Sequence, residues 1–203
     1  MSLRIAVIDD HGLTHAGLNL LFDKKEDYSI VAKFDCGADI LPYLATSTVD
    51  IILLDLGLPD ISGVSLLTEL IGRKDMTVII VTGENKPHTF DYSLKMGVRA
   101  IVSKSDPIET IVKAIEHARL GKIYTSPTIA KQLEGFQSSD IHLSPRQMGV
   151  LHLIQEGHTN KEIGYRLRIS APTVTFHITE IRKKLNVKSN QQILSRAREL
   201  GVL

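Results

Sequence analysis

Residues 3–10 read L-R-I-A-V-I-D-D, an apolar run that ends in two adjacent carboxylates. Such a run is typical of a strand buried on both faces, as in a parallel sheet covered by helices. Two carboxylates about 4 Å apart repel each other by roughly 4 kcal/mol at an effective dielectric constant of about 20. Asp9 and Asp10 therefore need either a compensating positive charge or full contact with water.

Four further strand-like segments follow this one, at residues 28–34, 49–55, 76–82 and 98–103. Helical patterns of about ten to fifteen residues separate them, for example over 13–24 and 108–120. This alternation predicts a doubly wound α/β domain with a five-stranded parallel sheet and helices on both faces.

The charge of the 203-residue chain is unevenly distributed, which favours two small domains over one large one. Residues 1–125 carry 13 Lys and Arg against 17 Asp and Glu, whereas residues 126–203 carry 11 against 6. A basic C-terminal part favours an anionic partner such as nucleic acid. Gly, Ser and Pro loosen the pattern over 123–142, which predicts a linker with a short helix between domains at 1–122 and 143–203.

Cysteine content and hydropathy bear on the compartment. The one cysteine, Cys36, excludes an internal disulfide and fits a reducing compartment. No run approaches the ~20 apolar residues of a membrane span, and the N-terminus lacks the pattern of a signal peptide. We therefore expect a cytoplasmic protein that does not associate with a membrane.

Polar residues stand at the ends of several predicted strands, where open parallel sheets bind their ligands. They comprise three acids, one hydroxyl and one ammonium: Asp9, Asp10, Asp55, Thr82 and Lys104. Each alone has an ordinary explanation as a turn former, strand residue or surface charge. As a set, three carboxylates suit Mg²⁺, and an ionised Asp55 could attack a phosphoryl group to give an aspartyl phosphate.

The motifs D-D-H…G-L, L-D-L-G-L-P-D-I-S-G, V-T-G and S-K resemble the receiver domain of two-component response regulators over about residues 1–122. The D-D-H-x-x-x-x-x-G-L run is typical of the NarL/FixJ class. The resemblance implies a flavodoxin-like fold. It also implies a role at six positions: phosphoacceptor at Asp55, Mg²⁺ ligands at Asp9, Asp10, Asp55 and the Gly57 carbonyl, and phosphoryl contacts at Thr82 and Lys104.

Two positions depart from the receiver pattern. Ile101 stands where an aromatic residue is common, and Ser105 stands where a proline commonly follows the lysine. The phosphorylation chemistry is therefore expected, whereas the path from Asp55 to an output surface differs from the usual one.

Residues 143–203 show no strand pattern and predict a small all-α domain of four helices. Three pairs have the spacing of a capping box: Ser144 with Gln147, Thr159 with Glu162, and Ser189 with Gln192. Helices at 159–167 and 171–185, joined by three residues, have the spacing of a helix-turn-helix. Residues 166–198 carry eight Lys and Arg against one Glu, which suits phosphate binding. Charge and spacing alone leave a plain helical bundle equally open.

The run L-S-P-R…T-N-K-E-I…L-x-I-S…T-V…H…I…K-L resembles the LuxR-type helix-turn-helix over about residues 143–203. The resemblance implies that helix 171–185 enters the major groove. Family-typical residues are replaced at Thr175, Gln147 and Asn190, where Lys, Glu and Arg are common. The candidate DNA contacts are Asn160, Lys161, Thr173, Thr175, Phe176, Thr179, Arg182 and Lys183.

Together the two resemblances predict a phosphorylation-regulated transcription factor and not an enzyme. A histidine kinase would phosphorylate Asp55 in the presence of Mg²⁺, and the active form would bind double-stranded DNA as a homodimer. One alternative is a regulator that works unphosphorylated through a protein partner. A more distant alternative is an aspartyl-phosphate phosphohydrolase, such as the haloacid dehalogenase type, which carries its nucleophile in an N-terminal D-x-D.

Overall fold

The computed structural model describes residues 2–61, 63–73, 75–134, 141, 143–200 and 202–203. The chain divides into two compact units, residues 1–135 and 136–203. Residues 135–140 and 142 of the predicted linker lie outside the described residues. The domain limits at 122 and 142 stay predictions, although the strand and helix within residues 124–134 belong to the first unit.

The first unit is built on one parallel sheet of six strands in the order β2-β1-β3-β4-β5-β6. The doubly wound α/β prediction is confirmed, but the predicted number of five strands is wrong. The added strand is a two-residue segment that pairs with β5 at Ala100 and Ile101, too short to give a periodic signal. The strands are β1 (Leu3–Ile8), β2 (Tyr28–Phe34), β3 (Ile51–Leu54), β4 (Thr77–Thr82), β5 (Ala100–Ser103) and β6 (Tyr124–Thr125).

Helices cover the sheet, since strands β1, β3, β4 and β5 are almost completely buried. Alternate strand residues such as Val7, Leu53 and Val81 pack with α1 and α5, and the others face the opposite side. The helices of this unit are α1 (Gly12–Phe22), α2 (Ile40–Thr46), α3 (Gly63–Leu70), α4 (Pro87–Met96), α5 (Thr110–Arg119) and α6 (Pro127–Glu134). A single 3₁₀ turn, Gly37–Asp39, precedes α2.

The register of the sheet brings the ends of its central strands to one edge. Ile8 lies opposite Leu54, and Leu54 lies opposite Ile80. The residues that follow β1 and β3 are therefore neighbours, and Asp55 N donates to the Ile8 carbonyl over 2.9 Å. This edge is where the candidate acidic site forms.

The second unit consists of helices around a buried apolar core, as predicted. Val174, Ile178, Ile181 and Leu185 form the buried stripe of its longest helix. Gly164 lets the turn before that helix approach closely, since a Cβ atom there would lie 2.7 Å from the Ile169 carbonyl oxygen. The helices are α7 (Pro145–Gln155), α8 (Asn160–Leu167), α9 (Ala171–Leu185) and α10 (Gln191–Glu199).

The starts of these helices follow the predicted capping pattern with one exception. The capping boxes before α7 and α8 form in full, and Ser170 caps α9 through the Thr173 N–H. The third box is only half formed: Gln192 Oε1 accepts from Ser189 N over 3.3 Å, but the Ser189 hydroxyl does not cap α10. Within the described part of the chain, none of the helices has the length and apolar character that crossing a bilayer requires.

Candidate acidic site and candidate nucleic-acid interface

Asp9 and Asp55 lie side by side at the sheet edge, bridged by Lys104. Lys104 Nζ is 2.8 Å from Asp9 Oδ2 and 2.6 Å from Asp55 Oδ2. Both carboxylates are only 3% exposed, whereas the Lys104 side chain is 19% exposed. Burial alone would lower the pKa of the lysine, but the hydrogen bonds and charges of Asp55 and Asp9 raise it above the ordinary value. The ammonium thus compensates two buried negative charges.

Asp10 and His11 extend the cluster toward solvent. His11 Nδ1 is 2.7 Å from Asp10 Oδ1 and 3.1 Å from Asp9 Oδ1, and the His11 N–H donates to Asp9 Oδ1 over 2.8 Å. One ligand atom from each of Asp9, Asp10, His11 and Asp55 can be chosen such that all four lie within 4.8 Å of one another. The sequence predicted every residue of this set except His11. Its position directly after Asp10 in D-D-H is the feature of the sequence that could have indicated it.

This donor set fits a hard divalent cation. Three of the four groups offer carboxylate oxygens, which Mg²⁺ prefers, and one of the carboxylates is open to water. Closely spaced negative charges, of which Asp9 and Asp55 are buried, favour a cation at that point. The residues present in the acidic cluster therefore fit Mg²⁺.

Gly57 contacts the Asp55 carboxylate, and Thr82 lies at the end of the neighbouring strand β4. Gly57 N donates to Asp55 Oδ1 over 3.2 Å, and a Cβ atom at Gly57 would lie 3.8 Å from Asp55 Oδ2. Thr82 is fully buried at the end of β4, and its hydroxyl accepts from Glu84 N over 3.1 Å. The structure places both residues at the predicted edge. Their roles toward a metal ion and a phosphoryl group stay predictions.

The backbone behind Asp55 is held by a close approach of α3. A Cβ atom at Gly63 would collide with Leu56 Cα and would lie 2.8 Å from the Asp55 carbonyl oxygen. Gly63 N also donates to the Leu56 carbonyl over 3.2 Å. Because only glycine permits this packing, the first turn of α3 fixes the loop that carries Asp55.

In the second unit, α9 presents one face to the core and another to solvent. Phe176 is 60% exposed although it is a large apolar side chain, and Thr175 and Lys183 are also exposed. Asn160 Nδ2 donates to Thr175 Oγ1 over 3.2 Å, which links the start of α8 to α9. These residues form a candidate interface at the start of α8 and along α9.

Most of the remaining candidate contacts are engaged in local bonds. Thr173 Oγ1 is 2.7 Å from Ser170 Oγ in the cap of α9, and Thr179 Oγ1 donates to the Thr175 carbonyl over 3.0 Å. Arg182 donates to Thr179 Oγ1 over 3.3 Å, and Lys183 pairs with Glu180 over 2.7 Å. Lys161 is exposed in the first turn of α8. That these residues face a groove stays a prediction; the sequence did not predict these bonds, which depend on rotamers.

Comparisons with known proteins cover both units. The family described as "Response regulator receiver domain" matches residues 5–116, and the family described as "Bacterial regulatory proteins, luxR family" matches residues 142–197. A putative transcriptional regulator of Pseudomonas aeruginosa is 30% identical over 202 residues, covering 96% of this chain and 97% of that protein. The transcriptional regulatory protein UhpA of Escherichia coli is 29% identical over 194 residues, with the same 96% and 97% coverage.

A solved structure is similar to this chain over nearly its whole length. It is the structure of two RcsB dimers bound to two parallel DNAs, with a TM-score of 0.64 and 22% sequence identity. The likeness covers 98% of this chain and 100% of that one. At this identity it shows the fold alone.

Proposed function

This chain belongs to the two-component response regulators that join a receiver domain to a LuxR-type DNA-binding domain, and we propose that it is switched by phosphorylation of Asp55. The phosphodonor is a histidine kinase, and the output is DNA binding by residues 143–203. The observation that carries the proposal is the buried Asp55 carboxylate at the sheet edge, with Asp9 and Lys104 in contact.

Asp55 is the nucleophile of the proposed reaction. One of its carboxylate oxygens attacks the phosphorus of a phosphohistidine whose other ring nitrogen is protonated. The new P–O bond forms as the P–N bond breaks, and the bond's electron pair stays on nitrogen, so the histidine leaves as neutral imidazole. Lys104, now 2.6 Å from Asp55 Oδ2, stabilises the negative charge on the transferred group. Mg²⁺, held by Asp9, Asp10, Asp55 and the Gly57 carbonyl, would supply further positive charge for the phosphoryl oxygens.

The added phosphoryl group changes the electrostatics of the edge. It carries about −1.5 to −2 charges, which replace the single charge of the Asp55 carboxylate beside Asp9 and Asp10. Lys104 then exchanges a carboxylate partner for a phosphoryl oxygen, and the Thr82 hydroxyl can leave Glu84 N for the same group. A receiver with two conformations of similar free energy shifts toward the one that suits these new contacts.

DNA binding is proposed to use α9 in the major groove, with Phe176 and Thr175 toward base edges and the basic residues on phosphates. The RcsB structure contains dimers bound to DNA. We propose a homodimer here as well, because one short recognition helix reads few base pairs and paired half-sites add specificity. The proposal does not include hydrolysis of small molecules. We place the protein in the cytoplasm, where its DNA is.

Phosphoryl transfer to Asp55 can be measured directly with a small phosphodonor. With acetyl phosphate and Mg²⁺, we expect the wild-type chain to gain one phosphoryl group on a phosphate-affinity gel. Asp55→Asn should gain none, and EDTA should stop the reaction. Asp60→Asn is the matched control in the same loop, since the Asp60 carboxylate accepts from Gly37 N and Ala38 N, each over 2.9 Å.

Three results would contradict the proposal. Phosphorylation of Asp55→Asn at the wild-type level would show that another residue is the acceptor. Steady release of phosphate from many phosphomonoesters would favour the phosphohydrolase alternative. Unchanged DNA affinity on phosphorylation of Asp55 would favour the regulator that acts unphosphorylated.

Asp10→Ala tests the metal site with little risk to folding. The Asp10 side chain is 33% exposed and contacts His11, so we expect the stability of the protein to change little. Loss of an outer partner of a metal site already costs about tenfold in affinity, so loss of a ligand should weaken Mg²⁺ binding at least that much. Isothermal titration with Mg²⁺ measures this, with Asp35→Ala as an exposed acidic control. A destabilised variant with intact Mg²⁺ affinity would give Asp10 a purely structural role.

A further inference from the structure

The edge of β5 that faces away from β4 pairs with β6 and is packed against α6. Tyr124 N donates to the Arg99 carbonyl over 2.9 Å, and Ser126 N donates to the Ile101 carbonyl over 3.0 Å. Helix α6 packs on β5 and α4, and its Ile129 is completely buried. Ile101 stands at the position where receivers commonly carry an aromatic residue. In this chain it pairs with Thr125 of β6.

A polar cluster fixes the start of α6 to the loop after β5. Thr128 N and Thr128 Oγ1 donate to the two carboxylate oxygens of Asp106, over 3.2 Å and 2.7 Å. Ser126, which is fully buried, also hydrogen-bonds to the Asp106 carboxylate. Burial alone would raise the pKa of Asp106, but these hydrogen bonds lower it below its ordinary value. We call Asp106, Ser126 and Thr128 the Asp106 clasp.

Asp106 of the clasp lies in the same turn as Lys104, the residue whose ammonium contacts Asp55. Lys104 and Asp106 are two residues apart in one tight turn, closed by Asp106 N donating to the Ser103 carbonyl over 3.1 Å. Ser103 N donates to Ser126 Oγ over 3.0 Å, so the same turn is bonded to the clasp at both ends. A displacement of the Lys104 backbone therefore displaces the anchor of α6.

We propose that the Asp106 clasp transmits the phosphorylation state of Asp55 to α6, the last helix before the DNA-binding unit. The inference rests on the proposed function. Lys104 reaches across β4 toward β3 and β1, while β6 and α6 lie on the opposite side of β5. A phosphoryl group on Asp55 takes the place of the carboxylate oxygen that Lys104 now contacts over 2.6 Å, so Lys104 and its turn must shift to receive it, and this shift disturbs the hydrogen bonds to Ser126 and Thr128. Phosphorylation thus loosens the clasp and frees the start of α6.

Hydrogen–deuterium exchange of the full chain tests the direction of this change. Beryllofluoride with Mg²⁺ serves as the phosphoryl analogue, and ¹⁹F NMR reports whether it is bound. In the wild-type protein we expect the α6 amides to exchange about tenfold faster when the analogue is bound, the size of effect expected from loss of a helix cap with charged hydrogen bonds. The β3 amides should keep their protection.

Variants at both ends of the clasp separate coupling from general loosening. Asp106→Ala and Thr128→Val should show fast α6 exchange without the analogue and little further change with it, while still binding beryllofluoride. Glu109→Gln, an exposed acid in the same loop, should respond like the wild type. Wild-type α6 exchange that is unchanged by bound analogue, or an equal response in Asp106→Ala and wild type, would overturn the inference. A wild-type chain that binds no beryllofluoride would instead overturn the proposed function, and the inference with it.

Discussion

Lys104→Met is expected to destabilise the first unit by about 3 kcal/mol when no divalent cation is present, and Mg²⁺ should recover most of that loss. The reason is that Lys104 is the bridge between Asp9 and Asp55, two carboxylates that are each only 3% exposed. Removing one partner of a buried ion pair costs about 3–5 kcal/mol, because the remaining charge stays buried and unpaired. A bound cation compensates the same two charges, so the metal should replace the ammonium in the energetics.

Exchange of β3 amides in the full chain measures this, because these buried strand amides open only with the whole unit. Lys95→Met is the matched control. Its ammonium pairs with Asp91 on α4 over 2.7 Å but is 47% exposed, so the loss should stay near 0.5 kcal/mol and not depend on Mg²⁺. Asp9→Asn added to Lys104→Met should restore stability without metal. A Lys104→Met loss that neither Mg²⁺ nor Asp9→Asn reduces would mean that Lys104 acts through packing alone.

The central sheet could be predicted from sequence because its strands are buried on both faces. Runs such as I-I-L-L at 51–54 indicate strands of a parallel sheet when helical patterns lie between them. β6 could not be found this way, since Tyr124 and Thr125 are two residues at an edge and carry no periodicity. What fixes them is pairing with β5 and the burial of Ile129, which are tertiary contacts.

The acidic site could be predicted by the same logic, whereas the Asp106 clasp could not. Parallel strands bring their carboxyl ends to one edge, so Asp9, Asp55 and Lys104 could be placed together before any distance was known. The clasp needed the structure, because Asp106 meets Thr128 only after the turn and α6 are in place. In the second unit, the Ser189 hydroxyl does not cap the helix because α10 begins at Gln191, which puts Asn190 and not Ser189 at the N-cap position. The Gln192 side chain is left to accept from Lys188 N and Ser189 N.

Phe176→Ala is expected to weaken specific DNA binding by about tenfold or more, the range of a direct base contact, and to leave its salt dependence unchanged. Phe176 is 60% exposed on α9, so its truncation removes no core packing and the fold should persist. A neutral side chain displaces no counterions, so the slope of log affinity against log salt should stay the same. Tyr165→Ala is the matched control, since Tyr165 is 88% exposed but lies on α8.

Lys183→Ala should show the opposite signature. A phosphate contact releases counterions, so its loss should reduce the magnitude of the salt slope by about 0.9 and weaken binding to all sequences alike. Lys183 is held by Glu180 over 2.7 Å in the free protein. DNA must therefore compete with Glu180 for the ammonium, and Glu180→Gln should raise affinity while leaving sequence preference unchanged.

Both signatures can be measured on one DNA fragment that the wild-type protein, phosphorylated with acetyl phosphate, selects from a pool of genomic DNA. Fluorescence anisotropy across a range of KCl concentrations gives the affinity and the slope for each variant. If Tyr165→Ala loses affinity and Phe176→Ala does not, α9 is not the helix that reads the bases. If Phe176→Ala changes the slope and Lys183→Ala does not, the division of α9 into base-reading and phosphate-binding residues is wrong, because only a charge in contact with a phosphate can alter counterion release.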